Sequence, residues 1–551
     1  MPDGRTAIVS SVWKHPPSAA TIARHIAAGE LSAVEVLEPH LTRIEDVDRK
    51  LNAVVVRRFD AARAEARAVD DCRRRGSPLG PLAGVPITVK ECFQLAGTAT
   101  TLGVRRRTNS TARTDGTLVA RLRAAGAIVV GKTNVPQLML LYETDNPLFG
   151  RTNNPWDIGR AAGGSSGGEA AIIAAGGVPL GLGSDLGGSI RQPAHVCGIH
   201  GLKPTGGRIT CAGSSNALEG FNAFPIQPGP MARHVEDLAL AMRVLTGADS
   251  GSADSRSADA TDGFEFSSRG KSGWIDTDVP PVAWRDPADV EVGSLRVAYW
   301  TEDGYFPAAP AARRAVVEAA AAVRSHGATV EPFDPPDVGE AMRLYFGLTG
   351  ADGGRGIREL LGSSRVDWRL RRLLRWARLP RSLRPMVCSL LELIGEGRTA
   401  QLVRAAGAIS ARTYWRLVAE RQRYLRQFLN RMRLGRFDAI LTPPYATAAV
   451  PHGSSLVMLP AASYALLPNL LDLPAGVVAA TRVREHEESD RPARRDRCDR
   501  AAIAAERSSV GLPMGVQVIG LPWREDLVLA LMAALESHFR TQPGYPLQPG
   551  I

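Results

Sequence analysis

Residues 163–205 read GGSSGGEAAIIAAGGVPLGLGSDLGGSIRQPAHVCGIHGLKPT, two glycine-rich islands around a short apolar stretch. Glycine at this density means that the backbone approaches another group closely or takes positive φ, since a residue without Cβ does either at little steric cost. In the second island, Leu186-Gly187-Gly188-Ser189 sets consecutive amides where they can converge on one oxygen, as an oxyanion hole demands. Taken alone, the same letters also describe a structural turn.

Several neighbouring motifs compete with this reading. Gly163-Gly164-Ser165-Ser166-Gly167 satisfies G-x-S-x-G, with His452 or His538 available downstream as a base. That elbow must follow a buried strand, whereas residues 153–162 (NNPWDIGRAA) form a polar loop. Gly126 to Thr133 matches the phosphate-binding expression G-x-x-x-x-G-K-T, but Ala-Ile-Val-Val inside it is itself a strand, so its N–H groups are not free to cradle phosphate. His195, Cys197 and His200 fit no standard zinc spacing and read as buried structural residues, with no metal expected.

Further out, Ile87 to Val89 forms a short apolar strand that ends at Lys90, and a helix (117–125) and a strand (127–130) follow. This alternation, with late strands at 437–442 and 514–519, gives an α/β fold. Residues 1–75 read as a helical region, while 251–278 and 485–507 read as flexible insertions. Lysine is scarce in this arginine-dominated chain, and lysine, unlike arginine, loses its proton when buried. Lys90 closes the apolar run Val85 to Val89, where desolvation lowers its pKa towards that of a general base. A lysine neutralised by a carboxylate is the other reading.

The chain has 551 residues, 44% of them hydrophobic, and a net charge of +11 spread over a large surface. That balance excludes a disordered chain, and nucleic-acid binding is not expected. Ala170 to Gly183, the longest uncharged apolar stretch, is too short for the ~20 residues of a membrane-spanning helix. Residues 1–18 lack the layout of a secretory signal, and the six cysteines contain no C-x-x-C pair, so reduced thiols and a cytoplasmic setting are expected.

Lys90, Gly163 to Glu169 and Gly187-Gly188-Ser189 occur in this order, with the two serines 24 positions apart. Together with residues 82–91 (LAGVPITVKE), 229–233 (GPMAR), 471–478 (LDLPAGVV) and 511–520 (GLPMGVQVIG), they resemble the amidase signature family over most of the chain. The resemblance implies one domain with a large central mixed β-sheet covered by helices on both faces, spanning residues 76–551. It also implies Lys90 as base, Ser165 as a bridging serine in cis conformation, Ser189 as nucleophile, an oxyanion hole from Leu186 to Ser189, and no cofactor.

Within the family the chain looks more like fatty acid amide hydrolases than like the glutamyl-tRNA amidotransferase A subunit. Gly168-Glu169 stands where amidotransferases usually show Gly-Ser, Gly206-Gly207-Arg208 replaces their Tyr-Gly-Arg, and Thr133 to Gly150 resembles the hydrolase form. The expected substrate is a small-molecule amide, fatty acyl on this resemblance, with Met139, Leu140, Leu141 and Tyr142 as candidates for lining an acyl channel. Short-chain or aryl amides, an amidotransferase-like role and a non-catalytic amide-binding protein are the alternatives. Residues 365–394 interleave Trp368, Leu370, Trp376, Met386 and Leu390 with eight arginines, a basic amphipathic segment broken at Pro380. Such a segment lies on an anionic membrane or packs over a core; the resemblance, which places a membrane cap at 355–400, favours peripheral contact on the inner face of the membrane. Residues 403–433 offer a helical surface for a possible homodimer.

Overall fold

Strands apolar along their whole length must be covered on both faces, and Ile87-Thr88-Val89, Ile128-Val129-Val130 and Val516-Gln517-Val518-Ile519 lie in strands with every residue buried. The computed structural model describes residues 17–246, 279–380, 382–492 and 495–551. Its eleven-stranded sheet contains β1 (Val54–Arg57), β2 (Pro86–Lys90), β3 (Ile128–Thr133), β4 (Leu180–Asp185), β5 (His200–Lys203) and β6 (Gln227–Ala232). It is completed by β7 (Arg296–Tyr299), β8 (Thr329–Pro332), β9 (Ala439–Thr442), β10 (Ala475–Arg482) and β11 (Pro513–Gly520).

The strands lie in the order β1-β3-β2-β4-β6-β5-β10-β11-β9-β7-β8. β3, β2 and β4 run parallel, as do β9, β7 and β8, and antiparallel pairs join the rest. The sheet is mixed and helices cover both faces, as the sequence implied.

The N-terminal helices Ala19–Ala28 and Ala33–Leu51 start at serine caps, the second in a full capping box between Ser32 and Glu35. Reading residues 1–75 as helical throughout is corrected at Val54–Arg57. Three successive valines, stiff at χ1, take the extended conformation and pair antiparallel with β3, so this region supplies an edge of the sheet.

A second correction concerns 485–507. Asp496 caps a ten-residue helix over Arg497–Glu506, and Arg491 pairs with Glu506 at 2.7 Å, so the latter part of this charged segment is ordered secondary structure tied to its neighbours. The other expected insertion, 251–278, lies outside the described residues. The phosphate-loop expression falls inside β3, where Lys132 is buried and donates to the Ala99 carbonyl at 2.7 Å.

The basic segment folds as the helices Arg355–Leu361, Trp368–Ala377, Arg384–Leu393 and Gly397–Ala405, with Pro380 in the break between the second and third. Cys388, Ala400 and Val403 form a small core of their own beneath them, apart from the main one. Among the described residues no helix is long and apolar enough to cross a membrane.

Candidate active site

In open α/β sheets, ligands bind beyond the carboxyl ends of parallel strands. Lys90 ends β2, and Asp185 ends the neighbouring parallel β4, from which Leu186 to Ile190 turn into the helix Arg191–Cys197. The Gly163–Ser166 turn enters the same region ahead of the helix Gly167–Ala174, and its Gly164–Ser165 peptide bond is cis. Gly164 has no room for a side chain, since a Cβ there would lie 2.4 Å from the Leu141 carbonyl oxygen.

Lys90 Nζ has three partners: Ser165 Oγ at 2.7 Å, Ser184 Oγ at 3.0 Å and the Ser184 carbonyl at 3.2 Å. Burial draws its pKa down to about 8, against the influence of Cys92, Asp185 and Glu169, which favour the charged form. The turn that carries Ser189 is bonded directly to the turn that carries Ser165, because the Ser166 N–H donates to the Ser189 carbonyl at 3.1 Å. Ser189 itself is half-buried, and its hydroxyl has no protein partner among the described residues.

Asp185 and Arg191 form an ion pair with no exposed surface, at 3.0 Å. Burial alone would raise the Asp185 carboxyl, but Arg191 and the Ile190 N–H hold it down at about 2. Arg191 also donates to Gln517 Oε1 at 2.6 Å and Asn469 Oδ1 at 2.5 Å. Asp185 accepts the Gly188 N–H at 2.6 Å. The Gly188 amide, one of the four expected to receive an oxyanion, is thus engaged by a carboxylate.

Of the residues expected to line an acyl channel, Met139 and Leu140 are half-buried against the main core. Tyr142 is buried, and its hydroxyl donates to the Gly187 carbonyl, so it grips the turn before Ser189. Ser184, Tyr345, Asn469 and Gln517 are functional neighbours that sequence reasoning missed. Ser184 lies inside the second island and Gln517 inside the family-like stretch 511–520, whereas Tyr345 and Asn469 lie in neither.

Glu169 is buried close enough to Lys90 for their charges to act on each other, and accepts Thr88 Oγ1 at 2.5 Å and Thr133 Oγ1 at 2.9 Å. Burial pushes its carboxyl up, against these hydrogen bonds and the charge of Lys90. His195 is packed in the core, its Nε2 against the Thr447 carbonyl and its Nδ1 accepting the Gly515 N–H at 2.9 Å, while the Cys197 thiol faces the Ala162 carbonyl. Among the described residues no cluster of His, Cys, Asp or Glu could hold a metal ion.

The helix Trp368–Ala377 is joined to the long connection between β3 and β4 by a buried arginine. Arg369 reaches Glu143 at 2.8 Å, Asp145 at 2.6 Å and Asp367 at 2.8 Å, so this one of the eight interleaved arginines is not part of a solvated face. Of the others, Arg365, Arg371, Arg375 and Arg378 are exposed and Arg372 and Arg384 are half-buried, while Trp368, Met386, Leu390 and Leu393 are exposed.

The family model described as Amidase matches residues 35–529. Over 520 residues the chain is 36% identical to "Fatty-acid amide hydrolase 1" of Sus scrofa, covering 94% of this chain and 84% of that one. It is 31% identical over 514 residues to "Fatty acid amide hydrolase 1" of Caenorhabditis elegans, covering 92% of this chain and 86% of that one. A solved structure of a fatty acid amide hydrolase superposes with a TM-score of 0.80 at 27% identity, covering 98% of this chain and 86% of that one.

Proposed function

The chain belongs to the amidase signature family and is an amide-hydrolysing enzyme, and on that premise we propose that Ser189 is its nucleophile, Ser165 its proton shuttle and Lys90 its base, acting on a long-chain acyl amide. The observation that carries the relay is the buried Lys90–Ser165 hydrogen bond of 2.7 Å. A neutral amine has two N–H donors and one lone pair. As an ammonium Lys90 donates to Ser165 Oγ and to both Ser184 oxygens; once it has lost a proton, its two remaining N–H groups can keep the Ser184 oxygens while the lone pair faces Ser165 Oγ.

In the first step Ser189 Oγ bonds to the carbonyl carbon while its proton passes to Ser165 Oγ, and the proton of Ser165 passes to Lys90 Nζ. Free amides of the turn receive the oxyanion. Collapse breaks the C–N bond as Ser165 protonates the departing nitrogen and is reprotonated by Lys90. An amine leaves poorly unless protonated, so a hydroxyl between base and leaving group serves amides well. Water then attacks the acyl-enzyme through the same relay and releases the acid.

Two observations support the fatty acyl substrate: the long alignment with a fatty-acid amide hydrolase, and the exposed apolar residues Trp368, Met386, Leu390 and Leu393 beside exposed arginines. Met386, Leu390 and Leu393 recur at helical spacing on one face, suited to lying in the headgroup region of an anionic membrane. Mass spectrometry of the enzyme with oleamide and with a small aromatic amide tests the reading. An oleoyl adduct on Ser189 that Ser189→Ala abolishes is expected. Turnover by Ser189→Ala removes the nucleophile, and faster turnover of the aromatic amide removes the fatty acyl substrate.

A further inference from the structure

The peptide units between Leu186 and Ile190 follow an alternating pattern. Their carbonyls are all engaged: Leu186 O accepts the Tyr345 hydroxyl at 3.2 Å, Gly187 O the Tyr142 hydroxyl, Gly188 O the Gln192 N–H at 2.7 Å and Ser189 O the Ser166 N–H at 3.1 Å. Their amides are not. Gly188 and Ile190 donate to the two oxygens of Asp185, at 2.6 and 3.1 Å, whereas the Gly187 and Ser189 N–H groups have no acceptor among the described residues. Alternate units are therefore tied at both ends, and those between them through oxygen alone.

In a trans peptide the C=O and N–H point in opposite directions. A hydroxyl that holds the Leu186 carbonyl thus fixes where the Gly187 N–H points, away from Tyr345. The same argument makes Gln192 the orienting partner of the Ser189 N–H. Tyr142 acts on a unit whose N–H Asp185 already holds, so its contribution is secondary. We infer that Tyr345, with Tyr142 in support, is a positioning residue for amide hydrolysis, holding the turn so that the Gly187 and Ser189 amides face the substrate's carbonyl oxygen.

Tyr345 lies on the helix Val338–Thr349, far along the chain from both glycine islands. Its ring is fixed between Phe224, 5.2 Å away, and Phe346, 5.5 Å away. A phenylalanine would satisfy that packing equally, so the hydroxyl is what the turn needs. The fit is close: a Cβ on Gly187 would lie 2.4 Å from the Tyr345 oxygen. Burial raises the pKa of both phenols, which keeps them as donors over the working pH range.

The inference rests on the assignment of Ser189 as nucleophile, and the test separates the two. In Tyr345→Phe, kcat should fall about ten- to hundredfold with KM nearly unchanged, less than the ~10²–10³ for deleting an oxyanion donor outright. Octyl trifluoromethyl ketone, which forms a tetrahedral oxyanion on the nucleophile, should lose affinity by the same factor, while octanoic acid should not. Tyr142→Phe should lose less. Gly187→Ala, which pushes on the Tyr345 hydroxyl, should reproduce the Tyr345→Phe defect, and the double variant should fall short of additive. Wild-type kcat in Tyr345→Phe, or equal losses for ketone and acid, overturns the inference. Should Tyr345→Phe fail to fold, wild-type kcat in Gly187→Ala overturns it instead. Turnover by Ser189→Ala would overturn the nucleophile assignment, a separate result.

Discussion

Lys90 and Ser165 meet at 2.7 Å with neither exposing more than 2% of its surface. A base held in that way works only when unprotonated, and burial has drawn its pKa down to about 8. The activity kcat/KM should therefore rise about tenfold per pH unit on the acid side of that value and level off above it. A pH–rate profile with no inflection between about pH 6 and 9 would exclude Lys90 from this role.

Glu169 bears on the same profile. Burial raises its own carboxyl to about 8, so it ionises over the same range, and where it is ionised its charge stabilises protonated Lys90; Glu169→Gln should therefore move the inflection to lower pH. The amide retains an acceptor for the Thr88 or Thr133 hydroxyl, and the fold should persist. An inflection that stays in place or moves up contradicts the coupling.

Ser165→Ala should discriminate between leaving groups. Amide hydrolysis should fall by about 10²–10⁴, the usual contribution of a positioned proton donor, while an ester of the same acid should lose less because an alkoxide leaves far more readily than a nitrogen that has not been protonated. Parallel kcat measurements on a matched amide and ester read the ratio. Equal losses would remove the shuttle.

The Asp185–Arg191 pair has no exposed surface, so Arg191→Leu leaves an uncompensated carboxylate in the core. Urea unfolding should show a loss of about 3–5 kcal/mol. Because Asp185 also holds the amides on either side of Ser189, those of Gly188 and Ile190, kcat should fall along with stability. Unchanged stability would mean that the pair is not closed in solution.

Replacing Met386 and Leu390 by Asp should abolish sedimentation with anionic liposomes. Both side chains are exposed, at 64% and 58%, so stability should change by no more than about 0.5 kcal/mol per site. Hydrolysis of a short water-soluble amide should continue at the original rate. Undiminished liposome binding would place the membrane surface elsewhere.

What the letters revealed depended on how local each feature was. Lys90, Ser165 and Ser189 stand inside short glycine-rich or apolar stretches whose composition already restricts their surroundings, and the fold brings those stretches to the ends of adjacent strands. Tyr345 and Asn469 act on the same turn from beyond residue 300, in stretches with no unusual composition, so nothing nearby marks them, whereas Gln517 stands in the family-like stretch 511–520 without a letter that singles it out. Val54–Arg57 was hidden by the helical periodicity on either side of it. Arg369 is one arginine among eight, and its burial against Glu143, Asp145 and Asp367 distinguishes it from exposed neighbours such as Arg371 and Arg375.

The helices around Cys388 carry a miniature interior separate from the main one, while their leading end is held to the body by Arg369, by two hydrogen bonds with Gln137 and by the buried Leu370. Such an appendage is free to diverge. Mutation there can retune which molecules arrive, and from what surface, while the machinery that cleaves them stays untouched, so kindred enzymes can acquire new diets without reinventing their chemistry.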